Sequence, residues 1–218
     1  SRDWSSDVCS SDLYTLAPVA SLREIVGEAA AAVASIAATA SQFGADPTRI
    51  VVAGHSAGAH LAASLVTELA PGPTRDLVAG LLLVGGIYDL PPLAESYVNE
   101  RVGMGAQEAV ALSPAALQPL RNVPVALRVG EREPSEFHRN AALLFDRWAP
   151  SLTKVEVANV ANRDHFDVLE ELDNGGGVLF AEAVRLLGLG PSPSGTGDGP
   201  TARGAAARGA ASGADVGG

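Results

Sequence analysis

Gly54-His55-Ser56-Ala57-Gly58 sets a serine between two glycines, directly after the apolar run Ile50-Val51-Val52-Ala53 and before the alanine-rich stretch Ala59 to Glu68. A serine hydroxyl acts as a nucleophile when a base takes its proton and the backbone holds it clear of its neighbours. A sharp strand-to-helix turn does the holding. Such a turn is strained and crowded, and Gly54 and Gly58 supply the small residues it needs. On it, the N–H of Ala57 points to where the oxygen of a tetrahedral intermediate gathers charge, as one donor of an oxyanion hole. The pattern is short enough to arise in any glycine-rich turn; the strand before it and the helix after it give it weight.

A base and an acid must complete the chemistry. Of the four histidines, His165 alone follows the last apolar strand, in Arg163-Asp164-His165-Phe166-Asp167. His55 is the variable second residue of the serine motif, His60 falls inside the next helix, and His138 falls on the helix after the third strand. The acid belongs after the strand preceding the histidine, where Val129-Gly130-Glu131-Arg132-Glu133-Pro134 offers both Glu131 and Glu133. Asp89, one strand earlier, is a third candidate, and Asp164 reads as a residue that shapes the turn beside His165. No group of His, Cys, Asp and Glu has metal-ligand spacing, so neither a metal nor a cofactor is expected.

The elements that must position these side chains follow from periodicity. Ser21-Leu22-Arg23-Glu24 is a capping box, and Ile25, Val26, Ala29, Val33, Ile36, Ala37 and Ala40 recur behind it at helical spacing, predicting an amphipathic helix to about Phe43. Asp46-Pro47 ends it before the strand Ile50 to Ala53. Gly80 to Val84 is apolar throughout, as a strand buried on both faces should be; Val123 to Val129 and Lys154 to Val160 are the next strands. Ser135 to Trp148 and Val178 to Leu187 are the later helices. This alternation predicts an α/β fold with a doubly wound, mostly parallel sheet. Between Tyr88 and Leu120 the alternation lapses around Pro91, Pro92 and Pro114, and such an insertion beyond a strand's C-terminal end is a candidate cap over the ligand crevice.

Composition narrows the function classes. The chain has 218 residues, a formal net charge of −10 and 15 basic side chains, so nothing electrostatic draws it to nucleic acid or anionic lipid, and the length suits one domain. No run reads as a membrane span, and the expected partner is a small-molecule substrate. Residues 1–13 lack any helical or strand period, hold the one cysteine, Cys9, and resemble a translated sequencing adapter; the expectation is that they are foreign and that a native N-terminus, with any signal peptide, is missing. Without Cys9 no disulfide can form, which suits a cytoplasmic protein. From Pro191 onward Val216 is the one large apolar residue, and a disordered tail over 191–218 is expected.

Gly54 to Ala62, Gly86-Ile87-Tyr88-Asp89-Leu90, Val129-Gly130 through Glu136-Phe137-His138-Arg139, and Asp164-His165-Phe166 together resemble the arylformamidases, or kynurenine formamidases, of the α/β-hydrolase superfamily, over about Tyr14 to Gly188. The resemblance implies an α/β-hydrolase fold lacking its first strands and a triad of Ser56, His165 and an acid. The family's aspartate aligns with Glu133, one methylene longer, and not with Glu131. The family also carries an H-G-G segment completing the oxyanion hole, which nothing from Tyr14 onward matches. With the Ala57 N–H alone, transition-state stabilisation is expected to fall by about a few kcal/mol. The implied reaction is cleavage of a formyl amide of an aromatic amine, such as N-formylkynurenine. A general carboxylesterase of the same fold is the nearest alternative, and a catalytically inactive fragment or binding domain is the alternative of another class.

Overall fold

The computed structural model describes residues 14–173 and 175–189. The expectations for 1–13 and for the 191–218 tail lie outside the described residues.

Four strands, β1 (Ile50–His55), β2 (Val78–Val84), β3 (Val125–Gly130) and β4 (Val155–Val160), form one sheet in the order β1-β2-β3-β4, with every neighbouring pair parallel. Parallel strands require crossovers, and these carry the helices. Between β1 and β2 run α2 (Ala57–Ser64) and the short α3 (Gly72–Arg75); α4 (Pro91–Ala94), α5 (Asn99–Val102) and α6 (Ala106–Ala111) lie between β2 and β3; α7 (Ser135–Trp148) joins β3 to β4. α1 (Leu22–Thr39) precedes the sheet, and α8 (Glu170–Asp173) and α9 (Val178–Leu186) follow it.

Side-chain alternation along β2 and β3 divides the core. Leu81, Leu83, Val125 and Leu127 face the side filled by Ala59, Ala63, Val66, Leu144 and Trp148, whereas Leu82, Val84 and Ala126 face Leu179 and Val168. Helices therefore flank both faces of a parallel sheet. On the second face Arg128 of β3, its side chain 7% exposed, pairs with Glu182 of α9 at 3.1 Å, which clasps that helix to the sheet.

α1 begins at the expected box: Ser21 Oγ accepts the Glu24 N–H while Glu24 Oε2 accepts the Ser21 N–H at 2.8 Å. Its apolar stripe is buried only in part. Val26, Ala30 and Val33 enter the core, but Ile36, expected on the buried face, is 56% exposed. The reason is its place on the helix: Ala40, one turn further on, is buried again, so Ile36 stands at the margin of the stripe formed by Val26, Ala30, Val33 and Ala40 and not beyond its end. The expectation that no run is long enough to span a membrane also needs correction: the helical run Leu22–Phe43 is 22 residues long and holds an 18-residue window of mean hydropathy 1.2. Its abundant alanines raise that average, and Val26, Ala30 and Val33 spend their apolar surface on the core. α2 stops at Ser64, short of the expected Glu68, where the Ser64 and Thr67 hydroxyls donate back to the His60 and Ser64 carbonyls.

The 88–120 segment folds over the C-terminal end of the sheet with a small core of its own, Leu90, Met104, Ala109 and Leu112. Asn99 stitches it, donating to the Ala94 and Met104 carbonyls and accepting the Met104 N–H. Its root is held by α7, where Asn140 Oδ1 accepts the N–H groups of Tyr88 and Asp89 at 2.7 and 3.0 Å.

Candidate active site

Ser56 stands between β1 and α2 with φ 55° and ψ −120°, a conformation a residue with a side chain holds only when its surroundings enforce it. They do so from both sides. The Ser56 N–H donates to the Val84 carbonyl of β2 at 2.9 Å, and the Ser56 carbonyl accepts from Ala59 and His60 in the first turn of α2. A Cβ on Gly54 would lie 2.2 Å from the Gly58 carbonyl oxygen, so only glycine lets the helix fold back this closely. Gly58 does not share that role: a Cβ there meets nothing within 4 Å, because it is the Gly58 backbone, not a side chain, that presses on Gly54. Ala57 is the first residue of α2, so its N–H is one of the helix-start donors with no partner within the helix.

His165 arrives on the loop after β4 and Glu133 on the loop after β3. Ser56 Oγ lies 3.1 Å from His165 Nε2, and His165 Nδ1 lies 2.7 Å from Glu133 Oε2. A carboxylate only accepts, so Nδ1 carries the proton and donates it to Glu133, leaving Nε2 to accept the Ser56 hydroxyl. Glu133 reaches inward because its N–H turns back to the Gly130 carbonyl; its Oε1 accepts the Gly130 N–H at 2.8 Å and its side chain is fully buried. Gly85, at φ 48°, leaves it room: a Cβ there would stand 2.7 Å from Oε2 and 2.8 Å from Oε1.

The other carboxylates are placed elsewhere. Glu131 continues the strand direction and its Oε2 accepts the Asn162 N–H at 2.9 Å. Asp89 pairs with Arg139 at 2.9 Å. Asp164 accepts the Asp167 and then the Phe166 N–H groups, which hold its carboxyl below the usual range and shape the turn that carries His165. That turn is anchored by Arg163. Its carbonyl accepts the Arg132 N–H and its guanidinium binds Glu170 and Glu171, both at 2.7 Å.

The imidazole of His165 is held on its faces as well. Phe137 stacks against it at 4.2 Å between ring centroids, and the His55 ring tilts over it at 4.5 Å. Burial, then the neighbouring His165, pushes the pKa of His55 down, so a neutral ring meets the imidazole. Beneath the site, burial and then the Glu133 carboxylate push the Tyr88 hydroxyl far up, keeping it protonated. The sequence reading passed over Gly85, Phe137 and the packing role of His55; the signal was present only in the Gly85-Gly86 pair closing a buried strand.

Beside Ser56 and Ala57 opens a cavity of about 380 Å³ walled by α1, α2 and the 88–104 part of the overlying segment. His60 lines it with its Nε2 committed to the Leu112 carbonyl at 2.8 Å.

Residues 5–164 match the profile of the alpha/beta hydrolase fold family. Kynurenine formamidases of Salmo salar and Danio rerio are 29% and 28% identical to the chain, over 80% of its length and 60% of theirs. The chain thus spans about three fifths of the length of these curated relatives. Among solved structures, a protein described as a candidate thioesterase from Silicibacter sp. superposes with a TM-score of 0.67 at 29% identity, covering 77% of this chain and 60% of that one. The carboxylesterase EstE1, from a metagenomic library, superposes at 0.62 with 24% identity over 82% and 68%, which speaks for the fold. The chain belongs to the alpha/beta hydrolase fold family.

Proposed function

We propose that the chain is a serine hydrolase in which Ser56 attacks a carbonyl carbon, His165 takes its proton, and Glu133 orients and stabilises the imidazolium. The observation that carries this is the unbroken hydrogen-bond path from the Ser56 hydroxyl through both nitrogens of His165 to a buried carboxylate. The tetrahedral oxyanion forms against the Ala57 N–H at the start of α2. His165 then gives its proton to the leaving group, and water, activated by the same imidazole, releases the acyl group and restores Ser56.

The substrate class is a formyl amide of an aromatic amine, of which N-formylkynurenine is the example. Its support is kinship to proteins named kynurenine formamidase. The formyl group is held as an ester on Ser56, the arylamine leaves with the proton from His165, and hydrolysis yields formate. A carboxylesterase of the same fold is the second reading, favoured by the apolar walls of the cavity beside Ser56. Comparing kcat/KM on N-formylkynurenine and p-nitrophenyl acetate, with Ser56→Ala as control, tests both. The formyl amide is expected to be preferred, and Ser56→Ala to abolish turnover of each. Ester turnover without formyl-amide cleavage selects the second reading.

A further inference from the structure

We infer that the cleft between the loop after β3 and the turn after β4 is a leaving-group site, in which Phe166 seats an aromatic ring and Arg132 selects a ring that bears a carboxylate. The inference rests on the reading of Ser56 and His165 as nucleophile and base, and it names which half of the substrate is recognised and by what.

His165 hands its proton to the departing atom, so the leaving group must lie against the imidazole. A cleft of about 330 Å³ opens there, bordered by Arg132, Pro134 and Phe137 from the stretch after β3 and by Asp164, His165 and Phe166 from the turn after β4. The acyl half of a formyl substrate offers little to hold, since its carbonyl carbon carries only a hydrogen. Almost all the contact surface of such a substrate belongs to its leaving group. The binding energy that orients the carbonyl towards Ser56 must therefore be gathered on this side.

The cleft's side chains set the class of that group. Phe137 is already committed, stacked on the imidazole, whereas Phe166 meets His165 edge-on, with centroids 5.5 Å apart and planes at 80°, and is 83% exposed. An aromatic leaving group laid on Phe166 covers apolar surface that the fold leaves in water, and ring-to-ring packing adds to that burial. Charge then narrows the choice. The carboxylates at the cleft are occupied: Asp164 accepts the Asp167 and Phe166 N–H groups, and Asp167 Oδ1 accepts the Asp164 N–H. Arg132 is not. Its side chain is 58% exposed, one nitrogen, Nη2, reaches Asp167 Oδ2 at 3.2 Å, and Nε and Nη1 have no hydrogen-bond partner among the described residues. The unused donors of a guanidinium form a planar fork that matches a carboxylate, so the cleft receives an anionic aryl group better than a neutral or cationic one.

The test uses three acetate esters on the full chain, so that it is independent of the formyl reading: meta-acetoxybenzoate, meta-acetoxybenzamide and trifluoroethyl acetate. A carboxamide withdraws electrons more strongly than a carboxylate, so leaving-group reactivity alone favours the benzamide. The benzoate is nevertheless expected to exceed the benzamide in kcat/KM by about three- to tenfold, the scale of an exposed ion pair strengthened by a forked donor. Arg132→Gln should bring that ratio to one or below, and Arg132→Glu should lower it further. Phe166→Ala should lower the ratio of the benzamide to the trifluoroethyl ester by on the order of tenfold. Both side chains are largely exposed, and an unchanged Tm in each variant checks that the fold is intact. Equal turnover of benzoate and benzamide, or a preference that survives Arg132→Gln, overturns the role of Arg132, and an aryl-to-alkyl ratio untouched by Phe166→Ala overturns the aromatic seat; in both cases loss of turnover in Ser56→Ala leaves the serine reading standing. Ester turnover no greater in the parent than in Ser56→Ala overturns both.

Discussion

Alanine at Gly85 should cripple the site although Gly85 belongs to neither the serine motif nor the histidine turn. Its φ of 48° costs a residue with a Cβ about 1–2 kcal/mol. The new methyl carbon would also stand 2.7 and 2.8 Å from the two carboxylate oxygens of Glu133, so the acid must retreat. It cannot retreat freely, because Oε1 is tied to the Gly130 N–H at 2.8 Å and Oε2 to His165 Nδ1 at 2.7 Å. Losing one charge-assisted hydrogen bond costs about 1.5–3 kcal/mol. Together these give a loss of about 3–5 kcal/mol, and a fall in Tm on the order of 10 °C for a domain of this size. A displacement of about 1 Å in the group that aims the base costs on the order of a hundredfold in rate. Thermal unfolding followed by circular dichroism reads the first number, and kcat/KM on an activated ester the second. Gly58→Ala is the comparison: with nothing within 4 Å of the added carbon, on a helix, it should raise stability by about 0.5–1 kcal/mol. A Gly85→Ala protein with unaltered Tm and kcat/KM would refute the claim that this glycine makes room for the acid.

Ser56→Gly should lose activity yet melt above Ser56→Ala by about 1 kcal/mol or more of stability, since glycine alone relieves the φ 55° backbone; equal melting of the two would mean that the turn stores no strain. Glu133→Gln should lower kcat/KM by on the order of a hundredfold or more, whereas Glu131→Gln, whose partner is the Asn162 N–H, should stay within roughly threefold; the reverse order would move the acid to Glu131. Burial holds His60 below its ordinary value, so the unfolded chain binds a proton near pH 6.5 that the fold refuses. Stability is therefore fully present above about pH 6.5 and is lost as pH falls towards the folded-state pKa. Denaturant unfolding at pH 7.5 and 5.5 measures this, and a His60→Gln protein should show a smaller drop between the two; an equal drop would remove His60 as its source.

Much of the architecture could be read from the chain because the signals were local. The capping box of α1, the full span of α7 and the apolar run of β2 each follow from a few adjacent residues, and Ser56 and His165 stand out because each follows a strand. The acid was different. Glu131 and Glu133 are two residues apart on one loop, and what separates them is a backbone turn, Glu133 N–H to the Gly130 carbonyl, that sends one carboxylate inward while the other follows the strand direction. No local pattern encodes that turn; it depends on space left by Gly85, 48 residues earlier. Gly58 failed in the opposite way, since its motif position suggested crowding where the fold leaves it open. Ile36 kept the helical period but not the burial, because periodicity predicts which face turns inward and not how wide the covered stripe is.

Ser56 and His165 are separated by 109 residues along the chain, and the last strand must dock before they meet. At a synthesis rate of about 5–20 residues per second, the serine leaves the ribosome roughly 5–20 s before its base does. Through that interval the hydroxyl has no proton acceptor and is as inert as any surface serine. On the proposed mechanism the growing chain therefore cannot acylate itself on passing esters until β4 and the loop after it, which carries His165, have been made.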